Sequence, residues 1–394
     1  MFARFSVRLA GVIALAVAMT LLLVQRADAC TSFRVMSKDG ALLVGRSMEY
    51  GFVFDSEVMV VPRGYKFTSP APGGKEGLSW QAKYGFVAMN AKGLDIATDG
   101  MNEAGLYVGL LYFPDFTKYQ EVGAQDTNRA LADIAVGNWV LSNFATVEQV
   151  KAAIQDVVVF DYVPPGYPSF PLHYAVHDSK SALVIEYLDG QLHLYDNPVG
   201  VLTNSPQFEW HLTNLRNYIN LTNINVAPLK LGDLVLEPFG QGTGLLGIPG
   251  DYTPPHRFIR AVALAFSSVP PDTAAEGANL AFHILNAVDI PIGIVAEKVP
   301  APTSAPGTPT PAATAEAGAT ATPTTGAAAS ALEYDFTQWA TVSDLTNKIY
   351  YFRSYKNLAI RQVDLKQLAF TGAQIQHIDI EAGEQFVDVT SQAR

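Results

Sequence analysis

The stretch Ala27-Asp28-Ala29-Cys30-Thr31 constrains this chain more than any other. It closes an expected export signal and holds the only cysteine of the 394 residues. Ala27 and Ala29 occupy the two small-residue positions that a signal peptidase reads, which places the cut between Ala29 and Cys30. Arg4 and Arg8 give the positive start, and Leu9 to Val24 form an apolar run shorter than the ~20 residues needed to span a bilayer. No other stretch is long and apolar enough to span. The expected mature chain starts at Cys30, is periplasmic or secreted, and keeps no stable membrane insertion. One cysteine excludes an intramolecular disulfide, so a chain of this size must rest on a large buried core.

A chain that begins at Cys30 carries a thiol and an α-amine on one residue. An unperturbed thiol titrates near pH 8.5 and an α-amine at roughly 7.7–8.0, so near neutrality the amine can take the thiol proton. That is a nucleophile with its own base, the arrangement of enzymes with an N-terminal Thr, Ser or Cys. Three plainer readings stand beside it. Cys30 could be a small buried apolar residue. It could be a lipid attachment site, although Ala27 stands where an aliphatic residue such as Leu is expected. Or the cut could fall elsewhere and leave Cys30 internal.

The formal charge is −11; Arg4, Arg8 and Arg26 against Asp28 give the signal a net +2, which leaves the rest near −13. Such an acidic surface repels phosphate backbones and argues against a nucleic-acid partner. Strand patterns cover Thr31 to Ser37, Ala41 to Arg46, Glu57 to Pro62, Tyr84 to Met89, Leu94 to Thr98 and Gly105 to Leu111, with Asp39-Gly40 as a hairpin signal. A second β set spans Leu172 to His177, Ala182 to Tyr187 and Gln191 to Tyr195. Helical patterns cover Ala130 to Phe144, Thr146 to about Val157, Glu209 to Tyr218, Arg257 to Ser267 and Thr273 to Val288. Glu333 to Tyr355 and Leu358 to Asp364 return to strand. Helices between two β-rich blocks indicate an α+β fold in which two sheets stack. Residues 300–331 are almost wholly Ala, Thr, Pro, Gly and Ser and read as a disordered insertion. The expected organisation is signal 1–29, a domain over 30–299, that insertion, and 332–394 rejoining the same domain rather than forming a small module of its own.

Cys30-Thr31-Ser32-Phe33-Arg34 followed by Gly45-Arg46-Ser47-Met48-Glu49-Tyr50 resembles the start of the choloylglycine hydrolase family, which contains bile salt hydrolases and penicillin V acylases. The matches continue in order. They are Asn102-Glu103-Ala104-Gly105-Leu106, Leu111-Tyr112-Phe113-Pro114, Leu202-Thr203-Asn204-Ser205-Pro206, and Gly247-Ile248-Pro249-Gly250-Asp251 with His256-Arg257-Phe258-Ile259-Arg260. The resemblance implies an N-terminal nucleophile hydrolase, a four-layer αββα sandwich of two antiparallel sheets, that cleaves linear non-peptide amides without metal or organic cofactor.

It also implies roles. Cys30 is the nucleophile. The fixed charge of Arg46 would favour its thiolate; a surface arginine is the plainer reading. Glu49 stands where the family usually has Asp and could hold the α-ammonium, or simply pair with Arg46. The Asn204 amide and the Tyr112 backbone N–H would form the oxyanion hole, although Asn204 could be an ordinary turn residue and Tyr112 only core. Arg257 would add positive charge near the sulfur, ahead of Arg260. Tyr112, where the bile salt hydrolases tend to carry Asn, leans towards penicillin V and N-acyl homoserine lactones. Conjugated bile salts are the alternative within the class, and an exported binding or structural protein with an inert Cys30 is the alternative outside it. A Cys–His pair is a competing reading, for which His256, next to Arg257, is the only histidine near a motif. His173 and His177 share a strand face but stand ~13 Å apart, too far for one metal. Asn220-Leu221-Thr222 fits a glycosylation acceptor only in a eukaryotic secretory context. Self-association is left open.

Overall fold

Every residue of Leu42–Tyr50 is buried. A strand covered on both faces belongs to an inner layer, with a sheet on one side and helices on the other. The computed structural model describes residues 29–91, 93–167, 169–300 and 330–392, and in it this strand has those neighbours. The expected signal and nearly all of the expected insertion lie outside the described residues.

The first strands are β1 (Cys30–Met36), β2 (Leu42–Tyr50), β3 (Glu57–Val61), β4 (Phe86–Ala91), β5 (Leu94–Asn102) and β6 (Tyr107–Tyr112). The second block gives β7 (Leu172–His177), β8 (Ala182–Leu188) and β9 (Gln191–Asp196). After the helices come β10 (Val295–Pro300), β11 (Ser330–Asp344), β12 (Ile349–Ser354), β13 (Arg361–Asp364) and β14 (Gln376–Asp379). One sheet runs β1-β2-β11-β12-β13 with β10 also on β11, and the other runs β9-β8-β7-β6-β5-β4-β3-β14. Every pairing within both is antiparallel. Helices α1 (Val136–Asn143) and α2 (Val147–Ala153) cover the second sheet; α3 (Phe208–Asn214) is followed by α4 (Pro254–Ser267) and α5 (Ala274–Asn286), and the last two cover the first sheet. The fold is the four-layer αββα sandwich.

Local chemistry sets the helix starts. Thr146 accepts from the Gln149 N–H to open α2, and Thr273 with Glu276 forms a full capping box on α5. Two prolines, Pro254 and Pro255, begin α4 at positions whose N–H groups have no partner in any helix. The expected helix over Ala130 to Phe144 is shorter: Ala130–Ala132 is a strand parallel to Val158–Phe160, and only Val136–Asn143 is α-helical. A short apolar run fits either period, and here pairing decides. The hairpin of Lys66–Ala71 with Lys75–Gln81 follows no alternation in the sequence and was not expected.

Candidate active site

Cys30 opens β1 and faces Met48 across the β1–β2 pair, with Ser32 facing Arg46. Side chains two apart on a strand share a face, so Arg46 and Met48 stand on the Cys30 side between the sheets, while Ser47 and Glu49 face the helices. The sulfur lies 3.8 Å from Met48 Sδ. Arg46 is fully buried rather than on the surface. Its Nη1 donates to the Ser47 carbonyl at 2.6 Å, its Nη2 to the Leu110 carbonyl of the other sheet, and its guanidinium lies 5.5 Å from the Trp339 ring centre. Burial would pull the Arg46 pKa down, but the Cys30 sulfur, Tyr107 and Asp99 outweigh it and hold it above its usual range. A permanent positive charge therefore sits beside the sulfur.

Asn204 is the hub of the site. Its Oδ1 accepts from the Cys30 backbone nitrogen at 2.6 Å and from Arg257 Nη2 at 2.7 Å, and its Nδ2 donates to the Tyr112 carbonyl at 2.7 Å. Two donors on one end and a carbonyl on the other fix the orientation of the amide. Phe113 N–H donates to the Pro171 carbonyl at 2.7 Å just past the paired ends of β6 and β7, so Phe113 turns its backbone groups towards that side. Tyr112, one residue earlier, then turns its N–H and C=O away from β7, and the C=O meets Asn204.

Arg257, in the first turn of α4, is fully buried on the helix side. Its Nη1 donates to the Cys30 carbonyl at 2.6 Å and to Thr31 Oγ1 at 2.7 Å, and its Nε to the Tyr252 carbonyl at 2.9 Å. Arg260 is spent on the carbonyls of Pro249 and Asp251. Glu49 stands on the Arg257 side, where Thr337 Oγ1 donates to its Oε1 at 3.0 Å. Burial raises its carboxyl to about 7, against the pull of Arg257 first and of Arg46 last. The Cys30 nitrogen, still an amide joined to Ala29 in this chain, bonds to Asn204 rather than to Glu49.

The two histidines weighed as a metal pair have different surroundings. His173 puts Nδ1 3.1 Å from Glu186 Oε1 and donates from Nε2 to the Thr203 carbonyl at 2.8 Å. Neither ring nitrogen of His177 has a hydrogen-bond partner, and burial lowers it to about 3. Among the described residues no group of three His, Cys, Asp or Glu could hold a metal ion. His256 is half-buried and pairs with Asp251. Sequence reasoning missed His211: its Nε2 donates to the Asn204 carbonyl at 2.9 Å, and burial lowers it to about 4, so it is neutral. Together His173 and His211 anchor consecutive carbonyls of the segment that presents Asn204.

The family model for linear amide C–N hydrolases, choloylglycine hydrolase family, matches residues 30–300 and 319–379. The chain belongs to the choloylglycine hydrolase family. The bile salt hydrolase/transferase of Clostridium perfringens is 32% identical over 354 residues, covering 88% of this chain and 95% of that one. The penicillin V acylase of Pectobacterium atrosepticum is 26% identical, covering 87% and 82%. A crystal structure of a conjugated bile acid hydrolase variant from Clostridium perfringens superposes with a TM-score of 0.73 at 29% identity, covering 92% and 99% of the two chains. The chain thus has its family's N-terminal nucleophile fold and its linear-amide chemistry. The buried Cys30, Arg46, Asn204 and Arg257 form one connected set at the meeting point of β1, β2 and α4.

Proposed function

We propose that this chain is an exported amidase whose Cys30, with its amine released by signal removal, cleaves linear amides that carry an apolar acyl group, of the penicillin V or N-acyl homoserine lactone kind. The observation that carries the reading is the cavity into which Cys30 opens. It holds about 60 Å³ and is walled by Met48, Tyr50, Phe54, Leu110, Tyr112 and Phe170 among others, with no charged side chain. Tyr50 meets Tyr112 edge-on at 5.8 Å and Phe170 at 5.9 Å, which makes an aromatic, apolar collar beside the sulfur.

In the proposed reaction Cys30 supplies both nucleophile and base. The α-amine takes the thiol proton, and sulfur attacks the amide carbonyl. The charge on its oxygen is met by a second hydrogen of Asn204 Nδ2 and by the Tyr112 N–H. The amine takes the proton and leaves as the C–N bond breaks; water then cleaves the thioester and restores the thiol. Arg257 keeps the Asn204 amide turned so that its nitrogen faces the reacting oxygen.

Conjugated bile salts are the second reading, favoured by the 32%-identical relative. Against it stands the cavity beside the sulfur, which holds about 60 Å³ and is walled almost wholly by aliphatic and aromatic side chains. Penicillin V, glycodeoxycholate and a long-chain acyl homoserine lactone should be hydrolysed side by side. Highest kcat/KM on penicillin V or the lactone supports the reading, and highest on glycodeoxycholate replaces it with the second. A fully active Cys30→Ala enzyme would overturn both and leave Cys30 inert.

A further inference from the structure

Behind Arg46 lies a buried carboxylate that the reaction just described does not use. Asp99 on β5 is fully buried. Its Oδ1 accepts the Tyr107 hydroxyl at 2.5 Å; its Oδ2 accepts the Tyr350 hydroxyl at 2.7 Å and the Thr341 hydroxyl at 2.8 Å. Arg46 Nε stands 3.9 Å from Oδ1. Three hydroxyl donors and a guanidinium are the surroundings of an ionised carboxylate, which only accepts. Thr341 is the β11 residue directly across from Arg46, and Gly109 is the β6 residue directly across from Asp99. A Cβ at Gly109 would come within 2.6 Å of the Tyr107 hydroxyl oxygen and 3.1 Å of Arg46 Cδ. The two sheets are therefore built to bring this carboxylate against this arginine.

We infer that Asp99 is a positioning residue and counter-ion that sets how much of the Arg46 charge reaches the Cys30 sulfur. With Asp99 ionised, Arg46 is held by both sheets and its charge is partly matched. Without that charge, Arg46 presents an unmatched positive charge to the sulfur, and the thiolate persists to lower pH but attacks less well, because nucleophilicity falls with basicity.

The other ionisable groups around this pair come from every element packed on it. Cys30 comes from β1, Tyr107 from β6 and Tyr350 from β12, with Glu49 and Arg257 beyond the far face of β2. His177 of β7 lies against Tyr107, ring centres 5.6 Å apart, and stays neutral. Burial first, then the Asp99 charge, keeps both tyrosines protonated far above neutrality. Glu49, raised to about 7 by burial, lies beyond β2 with Arg257 as its leading counter-charge and Arg46 as its weakest.

The inference rests on Cys30 being the nucleophile, and the test separates the two. Cys30 is the only thiol in the sequence, so its alkylation by iodoacetamide against pH reads the sulfur without reference to turnover. In Asp99→Asn, the acid limbs of alkylation and of kcat/KM should both move down by about one pH unit, the size expected when a nearby unit charge is removed. The maximal kcat should fall while KM holds. Tyr350→Phe removes one donor and leaves the Asp99 charge less shielded, so both limbs should move up, by less than a unit, and it carries the test if Asp99→Asn does not fold. Limbs that stay in place in either folded variant, or that move up in Asp99→Asn, would overturn the role of Asp99. Activity that survives Cys30→Ala would instead overturn the nucleophile itself.

Discussion

The two faces of β2 carry the same kind of pair in two different settings. Between the sheets, Arg46 meets Asp99, whose carboxylate takes three hydroxyl donors. On the helix side, Arg257 is the leading counter-charge of Glu49, which takes Ser47 and Thr337 as donors and is raised to about 7. Both carboxylates are fully buried and both pKa values are raised by burial. The difference teaches how each charge is held: burial raises both carboxyls, and each is pulled back by the donors and the guanidinium of its own face. One face of the strand is built as a fixed charge beside the sulfur, and the other can titrate near neutrality.

The largest expected effect breaks the helix-side pair. Arg257→Met removes the leading counter-charge of buried Glu49 and the hydrogen bonds to Cys30, Thr31 and Asn204, and should cost about 3–5 kcal/mol in urea unfolding at pH 8. The loss should shrink at pH 5, where Glu49 is already protonated. An equal loss at both values would contradict a titrating Glu49.

Next comes Glu49→Gln. Between its ordinary value and about 7, the folded chain keeps a proton that the unfolded chain releases. Stability from this group is thus present at low pH and lost as pH rises through about 7, by about 3 kcal/mol in all. Relative to wild type, Glu49→Gln should unfold at higher urea at pH 8 and at the same urea at pH 4. A variant that gains nothing at pH 8 would place its charge elsewhere.

On the other face, Gly109→Ala should cost about 1–3 kcal/mol by overpacking against Tyr107 and Arg46. Thermal unfolding checks it, and an unchanged midpoint would mean that the intersheet pair has slack. The smallest effect is Thr337→Val, about 1 kcal/mol or less. It should also move the Glu49 titration upward, read as a shift of the pH window in the previous comparison.

Much of the sandwich was legible because its strands alternate or run apolar between turn residues. Leu172–His177 was expected to the residue, and α5 is bounded by a capping box that the chain spells out. Cys30, Arg46, Asn204 and Arg257 were legible as motif residues, and the structure brings them within one hydrogen-bonded set. Asp99 and His211 were not. Asp99 takes its meaning from Thr341 and Tyr350, 242 and 251 residues away, and no local spacing announces such a contact. The face on which Glu49 lies follows from the register of β1 on β2, since a shift of one residue would have put it on the Cys30 side.

The account turns on the atoms at the front of the working enzyme. Intact-mass and N-terminal peptide analysis of the exported, active protein should find a chain that starts at Cys30 with an unmodified amine and thiol. An active protein that starts at any other residue, or that carries a lipid on that sulfur, would contradict it.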